Sequence, residues 1–161
     1  MNDYRQADLK GRDYFSADYG RYYITAGTED DYNRTDVYAT AITNPLLTYL
    51  IEIKAYCNQD HPRAYSKFIY NGIDYGYQID YDKIDYMIKE WRKTGRIPIL
   101  YVRFMDYTIV WDLRKVADKY EERKKWKLTN KDGLNYGEKE WSWQTYLYKN
   151  EAKQVKETVL N

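Results

Sequence analysis

A chain of 161 residues with 26 Lys and Arg against 25 Asp and Glu carries a formal charge of +1, so its overall field selects neither nucleic acid, nor acidic partners, nor a membrane surface. Tyrosine accounts for 21 residues of the 43% hydrophobic content; without it the apolar share is about 30%, lean for a globular protein, and the core has to recruit tyrosine rings. The aromatic content excludes a disordered chain. One Cys and one His exclude both an intramolecular disulfide and a structural zinc site of the Cys/His kind.

In chain order, residues 1–34 read as one polar arm of a single domain, interrupted by Gly11, Gly20 and Gly27. The arm holds a short helix and then an edge strand near Gly20 to Thr25. Met1 to Lys10 has no apolar signal-peptide core, and no later run is apolar enough for a helical membrane span. No membrane partner and a cytoplasmic location are therefore expected. Thr35 to Thr43 and Leu46 to Tyr56, separated by Asn44-Pro45, predict an antiparallel hairpin. Asp60-His61-Pro62 predicts the start of a short helix that Asn71-Gly72 ends, with a few extended residues over Gly76 to Ile79. Asp80 then reads as the N-cap of a helix from Tyr81 to about Thr94. Its Ile84, Met87, Ile88 and Trp91 fall on one face, and Gly95 supplies the stop.

Ile97 to Met105 and Thr108 to Leu113 are strands joined by a tight turn. The stretch 114–131 carries Arg114, Lys115, Lys119, Arg123, Lys124, Lys125, Lys127 and Lys131 against Asp118, Glu121 and Glu122, and reads as a basic short helix and loop. Trp141 to Tyr148 is a final strand, and Glu151 to Asn161 a frayed tail.

Within the hairpin, Glu52-Ile53-Lys54 interrupts an otherwise apolar strand. Strand period two places Leu50, Glu52, Lys54 and Tyr56 on one face and Ile51, Ile53 and Ala55 on the other. With Asn44-Pro45 at the tip, residues whose numbers sum to about 88 to 90 face one another, which sets Asp36 opposite Glu52 and Lys54. Charges are seldom placed in such strands unless paired or bound to metal, because desolvation costs several kcal/mol per ion.

Asp36 on one strand and Glu52-Ile53-Lys54 on the next resemble the PD-(D/E)XK nuclease superfamily, with Thr35 where that family usually has Pro. The resemblance implies a restriction-endonuclease-like fold: one α/β domain with a central mixed sheet flanked by helices. Residues 29–113 would form the nuclease-like core, and 114–161 a basic C-terminal extension packed on it. It further implies a nuclease that hydrolyses DNA with Mg²⁺ or Mn²⁺. Asp36 and Glu52 would hold the cation, Glu29 (or Asp30 or Asp31) would add an acid ahead of the hairpin, and Lys54 would assist the attacking water. A Lys or Gln on the following helix completes the family pattern; Lys83 fits that place best and Gln78 less well. A homodimer is implied by the resemblance alone.

Lys119, Arg123, Lys124, Lys125 and Lys127 are the candidate contacts to the DNA backbone, and Tyr38, Tyr56, Tyr75 and Tyr77 the candidate base-stacking rings. Plainer readings stand beside these. Asp36, Glu52 and Lys54 would also make a cross-strand salt bridge, and the basic run an ordinary solvated face. His61 reads as a cap or loop residue and Cys57 as a small buried hydrophobe. A catalytically inactive nucleic-acid-binding or assembly protein on the same fold is the alternative to a nuclease, and a tyrosine-rich interaction protein a further one.

Overall fold

The computed structural model describes residues 3–27, 37–57, 62–130 and 138–158, with 3–9, 24–27 and 130 described by backbone alone. α1 (Asp3–Tyr19) is longer than the short helix the sequence predicts. Its described inward face consists of Gly11, Phe15 and the half-buried Tyr14 and Tyr19, so the usual aliphatic stripe of a surface helix is replaced by rings and a glycine. A Cβ at Gly11 would stand 2.9 Å from Ile53 Cγ2. The glycine is disfavoured in a helix interior by about 1 kcal/mol, and here it lets α1 lie close against the sheet.

β1 (Tyr23–Gly27), β2 (Val37–Ala41) and β3 (Thr48–Ala55) form an antiparallel meander. Val37 pairs with Ile51 and Tyr38 with Leu50, the register that the hairpin arithmetic anticipates. Beyond β3 the expected helix up to Asn71-Gly72 is replaced by one 3₁₀ turn, Tyr65–Phe68, and a ribbon of β4 (Ile69–Tyr70) and β5 (Ile73–Asp74). Asn71 and Gly72 take φ of 51° and 76°. Two left-handed residues in succession close a two-residue hairpin rather than end a helix. β6 (Tyr77–Asp80) leads into α2 (Tyr81–Thr94), where Gly95 at φ 79° donates its N–H to the Trp91 carbonyl and stops the helix. Asp80 makes no side-chain cap; its carboxylate accepts instead from the Gln144 amide.

β7 (Ile97–Arg103) and β8 (Tyr107–Asp112) form the expected second hairpin. The basic stretch differs from its expected helix: after a 3₁₀ turn at Leu113–Val116 and further turns, it becomes β9 (Lys125–Asn130), paired with β10 (Lys139–Leu147). The C-terminal tail is likewise structured, because β11 (Gln154–Glu157) lies antiparallel to β8 and supplies the backbone partners its outer edge lacks.

The main sheet runs β1-β2-β3-β7-β8-β11, and only β3 and β7 are parallel, with Tyr49 opposite Ile97. A second sheet runs β6-β10-β9. The described residues form one α/β domain with a mixed sheet and two α-helices, whose main sheet draws strands from both sides of residues 29–113. No described helix is long and apolar enough to cross a membrane.

Strand alternation divides the core into two layers. Ile51, Ile53, Ile99, Tyr101 and Val110 pack with Phe15 under α1. Leu50, Leu100, Val102, Ile109 and Trp111 pack with Ile84, Met87 and Ile88 of α2. β3 and β7 are thus covered on both faces, as a central parallel pair requires. The second layer continues into an aromatic knot in which the Phe104 ring lies 5.3–6.1 Å from the rings of Tyr56, Tyr65, Phe68 and Tyr77.

Asp106, in the β7–β8 turn, ties that turn to the 3₁₀ turn by accepting from the N–H groups of Tyr65 at 2.7 Å and Ser66 at 3.0 Å. Partial burial works to raise its carboxyl, but the Ser66 and Tyr65 N–H groups outweigh it and hold the group below the ordinary range. A depressed carboxyl gives stability that is present above the unfolded value and lost as pH falls through the folded one. Asp106→Asn is therefore expected to cost about 1 kcal/mol at neutral pH, with the deficit shrinking below about pH 4. Urea midpoints across that range check it; a deficit that does not change with pH contradicts the assignment.

Candidate functional site

β3 lies at the centre of the main sheet, and its alternation aims Glu52 at the layer beneath α2 while Ile51 and Ile53 face α1. Glu52 pairs across the parallel ladder with Leu100, which is fully buried, and is itself only 4% exposed. An ionised carboxylate in such a place requires partners. Lys54, two residues along the same face, sets its Nζ 3.3 Å from Glu52 Oε1. Lys83, in the first turn of α2 just before buried Ile84, sets its Nζ 3.3 Å from Oε2. One carboxylate therefore takes an ammonium on each oxygen, one from the strand and one from the helix laid across it. The lysines keep an outlet to solvent, at 39% and 25% side-chain exposure, while the carboxylate does not.

Beyond the end of β3 the hydroxyls of Tyr56 and Tyr77 lie 2.6 Å apart, and the Arg63 guanidinium sits 4.9 Å from the Tyr56 ring. Burial first, and then the neighbouring Tyr56 hydroxyl, push the Tyr77 phenol well above its ordinary range. Both rings therefore act as packing and hydrogen-bonding groups. This revises two of the four stacking candidates, since Tyr77 is 2% exposed and Tyr56 is tied to it. Tyr38 is half-buried with Arg96 4.7 Å from its ring, whereas Tyr75 is 56% exposed.

Asp36, Glu29, Asp30, Asp31 and His61 lie outside the described residues. Among the described residues no group of three or more His, Cys, Asp or Glu side chains is arranged to hold a metal ion. Glu52 supplies a hard oxygen donor of the type Mg²⁺ prefers. Cys57 is buried, donates its thiol to the Arg103 carbonyl at 3.7 Å and is pushed up by burial, the behaviour of a packing residue.

The basic stretch divides. Arg123 turns inward, where its guanidinium pairs with Glu151 and donates to the Tyr146 carbonyl at 3.2 Å. Burial works to raise the Glu151 carboxyl, but the bond from Arg123 and the Tyr148 N–H outweigh it and hold the group low. Lys119, Lys124 and Lys125 are exposed. Lys127 is half-buried, with its Nζ 3.4 Å from the Gln78 amide oxygen. Gln78, the lesser candidate for the family's helix position, lies on β6 within the second sheet.

Sequence reasoning passed over Trp126, Trp141 and Trp143, which lie 43–58% exposed on the paired strands β9 and β10. The signal was present in Trp126-x-Leu128 and Trp141-x-Trp143, a period-two pattern that puts every ring on one face. Comparison with protein-family models, with curated proteins and with solved structures finds no match.

Proposed function

We propose that the chain is a metal-dependent nuclease that hydrolyses phosphodiester bonds in DNA, built on a restriction-endonuclease-like arrangement. The observation that carries this reading is the convergence of Lys54 and Lys83 on buried Glu52. A Glu-x-Lys strand and the helix that follows it meet at one carboxylate on the face between sheet and helix. The order of elements, α1, the β1–β3 meander, α2 and then β7 parallel to β3, is in keeping with it.

Glu52, with Asp36 immediately ahead of β2 in the sequence and Glu29 as a further acid, would hold Mg²⁺ or Mn²⁺. The bound cation would lower the pKa of a coordinated water and polarise the phosphoryl group. The chain's own residues do the rest. Lys83 and Lys54 each set an ammonium against the buried Glu52 carboxylate and position it. Lys54, the more exposed ammonium, orients the water and offsets negative charge as it builds on the phosphoryl oxygens. Attack by water on phosphorus breaks one P–O bond, leaving a phosphate on one fragment and a hydroxyl on the other. Lys119, Lys124, Lys125 and Lys127 supply backbone contacts, and Arg123 fixes β10 to the segment that carries Glu151.

A second reading has its own observation in support: both Glu52 oxygens already face lysines, as in a structural ion pair on an inactive binding protein. Incubation of the purified chain with single-stranded, duplex and branched DNA separates the two. Cleavage is expected with Mg²⁺ or Mn²⁺ and not with EDTA, together with thermal stabilisation by the cation that vanishes in Asp36→Ala. No cleavage of any substrate and no stabilisation by the cation would leave the inactive reading in its place.

A further inference from the structure

Strand period two along β9 puts Trp126 and Leu128 on one face and Lys125, Lys127 and Thr129 on the other. Along β10 it groups Lys139, Trp141 and Trp143 with the tryptophan face, and Glu140, Ser142 and Gln144 with the reverse. Pairing of Trp126 with Trp143 and of Leu128 with Trp141 brings these side chains together. The inner end of this face, at Thr145 and Leu147, is buried in the domain. Its outer end is not: Trp126, Leu128, Trp141 and Trp143 are 52, 49, 58 and 43% exposed. Exposed aromatic surface gathered in one place marks a binding face rather than ordinary surface.

The chemistry around the rings narrows the occupant. Trp126 and Trp141 are nearly parallel, 11° apart with centroids separated by 6.4 Å, and Trp143 stands at 61° to Trp126 with a 5.2 Å separation. Lys124 places its ammonium 5.0 Å from the Trp143 ring and 4.9 Å from the ring of Tyr81, the first residue of α2. Lys139 shares the tryptophan face by alternation, while Glu140 falls on the reverse. Flat π-faces bordered by cations complement a nucleotide, which offers a flat base and an anionic phosphate. An apolar protein surface would have to strip water from the Lys124 ammonium and give nothing in return. A second copy would set like charges against each other, and Lys125 and Lys127 on edge strand β9 discourage strand addition.

We propose that the tryptophan face of β9 and β10 is a stacking platform for unpaired bases of a single-stranded nucleic-acid segment, with Lys124 and Lys139 meeting its phosphates. The proposal rests on the nuclease reading and deepens it, naming DNA with an unpaired stretch as the substrate class. Tyr81 and Lys83 occupy the same first turn of α2, so a strand held on the platform is delivered to the element that supplies a lysine to Glu52.

The test measures binding in EDTA, where turnover is absent, using a labelled oligothymidylate and a duplex of equal length. The intact chain is expected to bind the single strand and quench its tryptophan fluorescence. Trp126→Ala and Trp143→Ala should each weaken that binding by about 5- to 150-fold, with duplex affinity little changed. Trp143→Phe should retain most of it, because a ring remains to stack. The rings are half exposed, so thermal midpoints should hold; the Phe variant keeps the test valid if an Ala variant does not fold. Unchanged single-strand affinity in the Trp126/Trp143 double Ala variant overturns the proposal. So does equal loss on duplex, failure of the intact chain to bind the single strand, or a self-association that the tryptophan variants abolish. Cleavage assays on the same preparations separate the two readings. Platform-dependent binding without cleavage supports the platform and sinks the nuclease, whereas cleavage with tryptophan-independent binding does the reverse.

Discussion

Glu52→Gln is expected to lower cation-dependent DNA cleavage by about 10²–10³-fold or more while the chain stays folded. The amide keeps the shape of the side chain, buried at 4% exposure, and removes the charge on which Lys54 and Lys83 converge at 3.3 Å each. Cation affinity should fall with turnover. Both lysines reach solvent, so screening limits the loss of stability to about 1 kcal/mol. Lys54→Ala should reduce turnover as severely but spare cation affinity, since its work is on the water and the developing charge. Lys83→Ala should do less to turnover and more to the fit of α2 on the sheet. Single-turnover cleavage set beside calorimetric Mg²⁺ titration reads both quantities. If all three variants differ from the parent only by small shifts in unfolding midpoint, the trio is a structural ion pair and the nuclease reading is lost.

Phe104→Ala is expected to destabilise the domain by about 3–5 kcal/mol. Phe104 is fully buried and its ring meets four others, those of Tyr56, Tyr65, Phe68 and Tyr77. Three of these are tyrosines whose hydroxyls are committed elsewhere. Tyr56 and Tyr77 bond to each other, and Tyr65 donates to the Asp74 carboxylate at 2.8 Å. The rings cannot slide inward to fill a void without breaking those bonds, so the cavity should persist at close to its full size. Tyr77 also stacks on Trp111, which donates its indole N–H to the Tyr148 carbonyl at 2.9 Å. The damage should therefore reach the junction of the two sheets. A loss of this size is a large fraction of the total stability of a typical domain and should lower Tm by roughly 10 °C or more. A loss near 1 kcal/mol would mean that the knot collapses freely and is not the rigid support its hydrogen bonds suggest.

What could be read from the sequence was what periodicity alone decides. The β2–β3 register followed from a single turn and strand alternation. α2 followed from Ile84, Met87 and Ile88 at helical spacing with Gly95 as the stop. The Glu52–Lys54 juxtaposition needed only period two. Lys83 came from the place the family resemblance assigns to a helix lysine, and its contact with Glu52 depends on how α2 crosses the sheet, which local pattern does not encode.

Other elements failed for physical reasons. α1 hides its period because rings and Gly11 stand where aliphatic residues would signal it. Asn71-Gly72 suits both a helix stop and a hairpin turn, and only the pairing of Ile69 with Asp74 decides between them. β9 reads as a charge run because Lys125 and Lys127 alternate with Trp126 and Leu128 along a strand that leaves its apolar face exposed as well. β11 has a single apolar residue, Val155, and forms because β8 offers an unpaired edge. Asp36 and Glu29 fall outside the described residues, so the acidic half of the site rests on the motif itself.

That last strand bears on how the domain is made. The ribosome delivers β7 and β8 well before Gln154–Glu157, so during synthesis the outer edge of β8 stays unpaired until that segment emerges. An unpaired edge on a nascent sheet is a template for pairing with another chain. The nascent protein therefore has a vulnerable interval whose length is set by the speed of translation across residues 113–157, the stretch that also encodes β9 and β10. Slowing the ribosome there should raise aggregation during synthesis while leaving the finished protein as stable as before.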